Sequence, residues 1–187
     1  QWRLVLQVIG LVSFANVVFY LVFVFLVDDT GMALGNSAAA NTVATVMQTL
    51  GLPLVVLGGH LADRWGLVAV NRWGNLALLL VMPAVLLIGQ RGTLSSLALA
   101  LGLVLLPLMA TMGAQGVLGV ALVPLRQRCA VFSIGYSLAM ALFAGTAPLM
   151  ATWLLQRQHW IWGTPLYALV YGVIALWAVQ TSRSHLH

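Results

Sequence analysis

Few residues in this sequence could carry acid–base, nucleophilic or metal chemistry, and they are scattered. The three acidic residues are all aspartates, and none stands with a partner as a general acid–base pair. The chain has one cysteine, Cys129, and four histidines without metal-ligand spacing: His60, His159, His185 and His187. The sequence therefore predicts no enzyme, no metal site and no cofactor.

The most specific motif is the stretch Gly59-His60-Leu61-Ala62-Asp63-Arg64-Trp65-Gly66, which has the spacing G-x-x-x-D-R-x-G. Its glycines permit a tight turn and a close approach of helices. Asp63 can pair with backbone N–H groups or with an arginine of a neighbouring helix, and Arg64 can reach carboxylates or lipid phosphates. A charged clasp of this kind holds one conformation and releases it in another. We predict a conformational gating role for Gly59, Asp63, Arg64 and Gly66.

The elements that must position these residues are membrane helices. The chain has 187 residues, of which 62% are hydrophobic and 6% charged, a composition that excludes both a water-soluble fold and disorder. Six charge-free stretches are long enough for the roughly 20 residues of a transmembrane helix. The sequence predicts an all-α integral membrane protein, one compact unit over 1–187, with spans at about 6–27, 38–58, 74–90, 96–119, 129–155 and 162–180.

The arginines predict the orientation of these spans. Two of the eight, Arg91 and Arg157, fall on one side of the membrane, and six fall on the other: Arg3, Arg64, Arg72, Arg126, Arg128 and Arg183. By the positive-inside rule, both termini and the predicted 59–73 connection face the cytoplasm of an inner (plasma) membrane. The net charge of +5 would suggest a nucleic-acid partner in a soluble protein. Here the arginines sit singly or in pairs at span ends, so we predict no nucleic-acid partner.

Polar side chains inside the spans suggest a shared wet cavity. Four spans carry polar residues at helical spacing, which puts those of each span on one face. The candidate cavity residues are Asn16, Tyr20, Asn41, Gln48, Gln115 and Tyr136. The alternative is that each serves as an interhelical hydrogen-bond partner, the usual role of a single buried Asn or Gln.

Small residues and prolines inside the spans point to close helix packing and to bends. Gly113 and Gly116 form part of a small-residue ridge on the fourth span, and Gly145 pairs with a small residue on the fifth. Pro148 removes a backbone hydrogen bond within the fifth span. We assign Gly113, Gly116, Gly145 and Pro148 to helix packing.

The G-x-x-x-D-R-x-G motif resembles the loop signature of the major facilitator superfamily, although Leu67 and Val68 stand where that signature has two basic residues. The segments 123–128, which includes Arg126 and Arg128, 133–138 and 143–152 resemble the tenth-to-eleventh loop and eleventh span of its metabolite:proton symporter branch. That branch includes proline/betaine, alpha-ketoglutarate and citrate carriers. The resemblance covers nearly the whole chain.

The resemblance implies the carboxy-terminal six-helix half of a twelve-helix transporter. It implies proton-coupled symport of a small organic acid or zwitterionic solute by alternating access. The partners would be the lipid bilayer, a small polar solute, protons and an amino-terminal six-helix half. The alternative is a half-size membrane module with a scaffold or regulatory role and no transport.

Overall fold

A computed structural model describes residues 2–154 and 162–182, and every regular element in these two ranges is helical. The model confirms the all-helical membrane fold, with six helical stretches long and apolar enough to cross a bilayer. They are Trp2–Leu34, Ser37–Trp65, Leu67–Gly89, Leu94–Ala121, Leu125–Thr152 and Gly163–Thr181. Several residues of the sequence analysis lie outside the described ranges: the predicted end of the fifth span at 155, Arg157, His159, Arg183, His185 and His187.

The first span is longer than predicted. It comprises α1 (Trp2–Tyr20), a π-helical turn (Leu21–Phe25) and α2 (Leu26–Leu34), which run on without a break. Asp28 and Asp29, expected in a connection, lie instead in the first turn of α2. Aspartate lowers helix propensity only modestly, so two of them within a continuous helix do not end it. The helix ends at Gly35, whose φ of 62° is the left-handed conformation common after a helix C-terminus.

The second and third spans are joined by a single residue. Helix α3 (Ser37–Trp65) and helix α4 (Leu67–Gly89) flank Gly66, whose φ of 89° favours glycine. The predicted 59–73 connection is therefore wrong, because the G-x-x-x-D-R-x-G motif forms the last turns of α3. Polar and charged residues such as Asp63 and Arg64 are compatible with a helix, so α3 continues through them and ends only at Gly66.

The remaining spans are α5 (Leu94–Ala121), then a fifth span with an irregular middle, then α8 (Gly163–Ser182). Helix α5 begins with a capping box, in which Thr93 and Ser96 each bond the other's backbone N–H at 3.2 Å. The fifth span contains a 3₁₀ turn (Leu125–Gln127), α6 (Arg128–Ala139), a π-helical turn (Met140–Ala144) and α7 (Ala147–Thr152). These segments place the functional side chains discussed below.

Helix α1 lies at the centre of the bundle. It packs against α8, α6 and α5, while α5 also packs against α3 and α4. Its middle is buried on all sides, and Leu11 and Phe14 are among the largest fully buried side chains. A helix that is apolar all round suits this central position.

Glycines set how closely the helices approach one another. A Cβ atom at Gly58 of α3 would lie 2.6 Å from the Cα and carbonyl oxygen of Ala110 in α5. Gly10 of α1 faces Ala178 of α8, and Gly135 of α6 faces Val8 of α1. Small residues let backbones come together where lipid supplies no hydrophobic force between helices. Gly135 also has a small residue, Ala139, four positions later, a spacing that favours helix packing, whereas no packing role was predicted for Gly10 and Gly58.

Candidate functional site

Helix α3 presents a polar face on the outer surface of the bundle. Asn41, Thr45, Gln48 and Thr49 are all exposed, and their spacing places them on one side of the helix. The adjoining edge, with Ala44, Gly51 and Gly58, is buried, and α3 packs on α5. A polar face directed outward from an apolar bundle is costly against lipid.

The hydroxyl groups on this face are occupied by their own helix. Thr42 Oγ1, Thr45 Oγ1 and Thr49 Oγ1 each donate 2.8 Å hydrogen bonds to the carbonyl oxygen four residues earlier. Within the described part of the chain, no hydrogen bond engages the amide of Asn41 or Gln48. These two amides are therefore the groups of α3 available to a ligand, to water or to another helix.

Helix α6 presents a second polar face. Ser133 and Ser137 are exposed, whereas Val131, Gly135 and Ala139 are buried on the side that packs against α1. Tyr136 is half-buried between these two sides, with its ring centroid 5.8 Å from that of Phe132. Tyr20, on the first span, is also half-buried, 5.9 Å from the ring of Phe19.

Two predicted cavity residues lie inside the bundle. Asn16 is 3% exposed, and its Nδ2 donates a 2.7 Å hydrogen bond to the Val12 carbonyl oxygen. Gln115 is 4% exposed, and its Oε1 has no hydrogen-bond partner among the described residues. The six candidates thus do not share one surface. Asn16 and Gln115 are buried because neighbouring helices cover α1 and α5, and Tyr20 and Tyr136 are half-buried. The polar faces of α3 and α6 are exposed.

The first and fifth spans each contain a π-helical turn. Leu21–Phe25 packs against α7, and Met140–Ala144 packs against α1, so the two irregular turns lie in spans that contact one another. Such turns break the regular hydrogen-bond pattern and often occur at functional sites. No residue pattern in the sequence marked them.

The predicted gating motif lies at the end of α3, and its two charged side chains are exposed. Asp63, Arg64 and Gly66 are exposed, while Gly59 is half-buried with open space where a Cβ atom would stand. Within the described ranges, no salt bridge joins Asp63 or Arg64 to another residue. In the connection after α5, Arg126 is exposed, and Arg128 Nε donates a 3.3 Å hydrogen bond to the Val123 carbonyl oxygen.

The predicted packing residues have different surroundings. A Cβ atom at Gly113 would collide with the Val55 carbonyl oxygen of α3, so α5 and α3 are close there. Gly116 has open space around it, and Gly145 faces only carbonyl oxygens of its own turn. The packing role is therefore corrected at these two positions. Pro148 is the second residue of α7, where a missing N–H costs little, and it lies beside a small cavity with Asp28 and Asp29.

An aromatic cluster between α8 and the second π-helical turn was not predicted from the sequence. The rings of Tyr167 and Tyr171 in α8 are 5.0 Å apart, and Phe143 of the second π-helical turn is 5.2 Å from Tyr171. All three are half-buried. Tyrosines at i and i+4 on a helix are the only signal that could have pointed to this cluster.

Comparison with known proteins gives one informative similarity. The chain is 29% identical over 179 residues to the ectoine/proline transporter ProP of Corynebacterium glutamicum. The alignment covers 94% of this chain and 35% of the relative, so the chain spans about a third of that protein's length. No protein-family model and no solved structure matches the chain. The chain is a six-helix, multi-pass membrane protein whose sequence is similar to that of a transporter.

Proposed function

We propose that this chain is the carboxy-terminal six-helix half of a secondary transporter that moves a small organic acid or zwitterion together with protons. The observation that carries the proposal is the similarity to a transporter over 94% of the chain but only 35% of the relative. The uncovered part of such a relative has ample length for a second helix bundle. Transporters of this class are commonly built from two related bundles with the substrate between them.

The outward polar faces of α3 and α6 support a partner bundle. A second six-helix half covering Asn41, Gln48, Ser133 and Ser137 would turn these faces from lipid-exposed into lining of a central pathway. The two π-helical turns lie in the first and fifth spans, which border one another. Irregular backbone in these spans supplies points where helices bend during alternating access.

The substrate class follows from chemistry and from the relative. Proline and ectoine are zwitterions with one carboxylate and one positive charge, which lies on the ring nitrogen of proline and is shared by the two amidinium nitrogens of ectoine. Amides such as those of Asn41 and Gln48 both donate and accept hydrogen bonds, so they suit either end of such a solute.

Proton coupling needs a group that gains and loses a proton within the membrane. The only acids in the sequence are Asp28, Asp29 and Asp63, and all three stand near helix ends. The protonated carboxylate therefore belongs to the amino-terminal half in this proposal. The transporter would lie in the inner (plasma) membrane with both ends of this chain in the cytoplasm.

Uptake by a chimera tests the proposal. The amino-terminal half of the Corynebacterium glutamicum relative would be joined to this chain and expressed in cells without their own proline uptake. We expect uptake of labelled proline or ectoine that stops when a protonophore collapses the proton gradient, and no uptake by this chain alone. An inserted, monodisperse chimera that takes up neither solute would contradict the proposal and favour a scaffold role. Uptake that continues in the presence of the protonophore would contradict proton coupling but not the transport function.

A further inference from the structure

A second candidate site lies on the outside of the bundle, away from the polar faces. A groove of about 560 Å³ runs between α4 and α5, with the end of α3 closing one end. Its walls are apolar and include Ala77, Val81, Leu103 and Leu106. At about 1.5 Å per residue, the wall from Val70 to Val81 is about 16 Å long, close to half of a roughly 30 Å hydrocarbon core.

The groove faces lipid and not the proposed partner bundle. It includes Leu61 and Trp65 of α3. At about 100° per residue, Leu61 lies about 200° around α3 from Asn41, on the side opposite the polar face. A partner bundle that covers the polar face therefore leaves the groove open to the membrane.

One end of the groove has the features of a lipid headgroup site. Trp65 and Trp73 form the groove walls at this end and are 67% and 61% exposed. Exposed tryptophans of this kind are typical of the membrane interface. Arg64 and Arg72 adjoin the two tryptophans in sequence, and the guanidinium carbon of Arg72 lies 5.2 Å from the Trp73 ring centroid.

Arg72 has unused hydrogen-bonding capacity at this point. Its Nε is buried and has no hydrogen-bond partner among the described residues. A buried donor on a charged group favours an anionic acceptor, and guanidinium binds phosphate especially well. Among the described residues, no aspartate forms a salt bridge with Arg72.

We propose that this groove binds one anionic phospholipid, with an acyl chain along α4 and α5 and the phosphate at Arg72. Three features match this ligand class. The groove walls are apolar, the groove is about as long as one leaflet of the hydrocarbon core, and a cation stands near its interfacial end. Arg64 is exposed and precedes the groove residue Trp65 in sequence, so a second positive charge lies near this end. The site does not depend on the proposed transport function, since it lies on a different face.

Two glycines of α5 offer a matched test. Gly102 lines the groove and Gly116 does not, and both have open space where a Cβ atom would stand. Gly102→Leu therefore places a side chain in the groove from a position with open space at its Cβ atom, and Gly116→Leu is its control. Equal melting temperatures of the two variants in detergent would verify that both remain folded.

The experiment is native mass spectrometry of the purified chain after exchange into equal amounts of palmitoyl-oleoyl phosphatidylglycerol and phosphatidylcholine. We expect one retained phosphatidylglycerol in the parent chain and in Gly116→Leu, and its loss in Gly102→Leu. Arg72→Gln should lower the preference for phosphatidylglycerol by about fivefold, the effect expected of one cation at an anionic surface. Arg91→Gln, at an exposed site of the opposite end, should leave it unchanged.

Three outcomes would overturn the proposal. One is lipid retention in Gly102→Leu equal to that of Gly116→Leu. The second is equal retention of the two lipids by the parent chain. The third is a dimer of this chain that Gly102→Leu dissociates, because a second copy would then be the occupant of the groove.

Discussion

Gly58 of α3 lies against the backbone of Ala110 in α5, with 2.6 Å between the position of a Cβ atom at residue 58 and the Ala110 carbonyl oxygen. The next residue, Gly59, has nothing within 4 Å of the same position. Two adjacent glycines of one helix thus serve opposite purposes. One allows contact between helices, and the other faces open space.

Gly58→Ala should destabilise the bundle, since the neighbouring atoms are backbone and cannot move aside. Overpacking of this kind costs about 1–3 kcal/mol. Gly59→Ala should instead raise stability by up to about 1 kcal/mol, because alanine favours the helix. Thermal unfolding of both variants in detergent measures the difference. Equal melting temperatures would show that α3 and α5 are further apart than described.

Asn75→Leu should stabilise the bundle. Asn75 of α4 is fully buried, and neither its Nδ2 nor its Oδ1 has a hydrogen-bond partner in the described ranges. An unpaired buried polar group costs about 1–3 kcal/mol, which leucine would recover. Asn16→Leu is the control, because its amide is bonded to Val12 and the gain should be smaller. A large loss of stability in Asn75→Leu would reveal a bound polar partner.

Cysteine labelling tests the predicted orientation. With exposed Cys129 changed to serine, Trp65→Cys and Ser37→Cys put single thiols at exposed positions near the two ends of α3. An impermeant maleimide added to intact cells should label position 37 and not position 65. The reverse pattern would place the arginine-rich side outside.

Asp63→Asn should slow transport while leaving the protein folded. The side chain is exposed, so its charge contributes little to stability, and the change keeps its shape. Loss of a clasp that favours one conformation should lower the uptake rate of the chimera by about fivefold or more at equal surface expression. Asp28→Asn, near the C-terminal end of the first span and outside the motif, is the control. Unchanged uptake by the Asp63→Asn variant would contradict the predicted gating role of Asp63.

Gln48→Leu should reduce uptake by the chimera, because Gln48 lies on the polar face that we assign to the pathway. Leu57 is also exposed, and at about 100° per residue it lies about 180° around α3 from Gln48. Leu57→Ala should therefore leave uptake unchanged. Equal effects of the two substitutions would show that the polar face has no special part in transport.

The sequence was sufficient to locate the helices but not to predict which of their faces are buried against neighbouring helices. Charge-free stretches located all six spans, because charged residues are expensive in lipid. The C-terminal end of α3 was misplaced, because polar residues such as Asp63 and Arg64 continue a helix beyond the hydrocarbon core. The burial of Asn16 and Gln115 could not be predicted, because helical spacing tells which residues share a face but not which helix covers it. Gly58 gave no signal distinct from Gly59.

The outward polar face of α3 also bears on how long this chain survives in a cell. Unpaired amides such as those of Asn41 and Gln48 are costly against acyl chains, so the chain should be less stable in the bilayer alone than when this face is covered. In the proposed two-bundle transporter, the abundance of this chain should therefore follow the supply of its partner bundle.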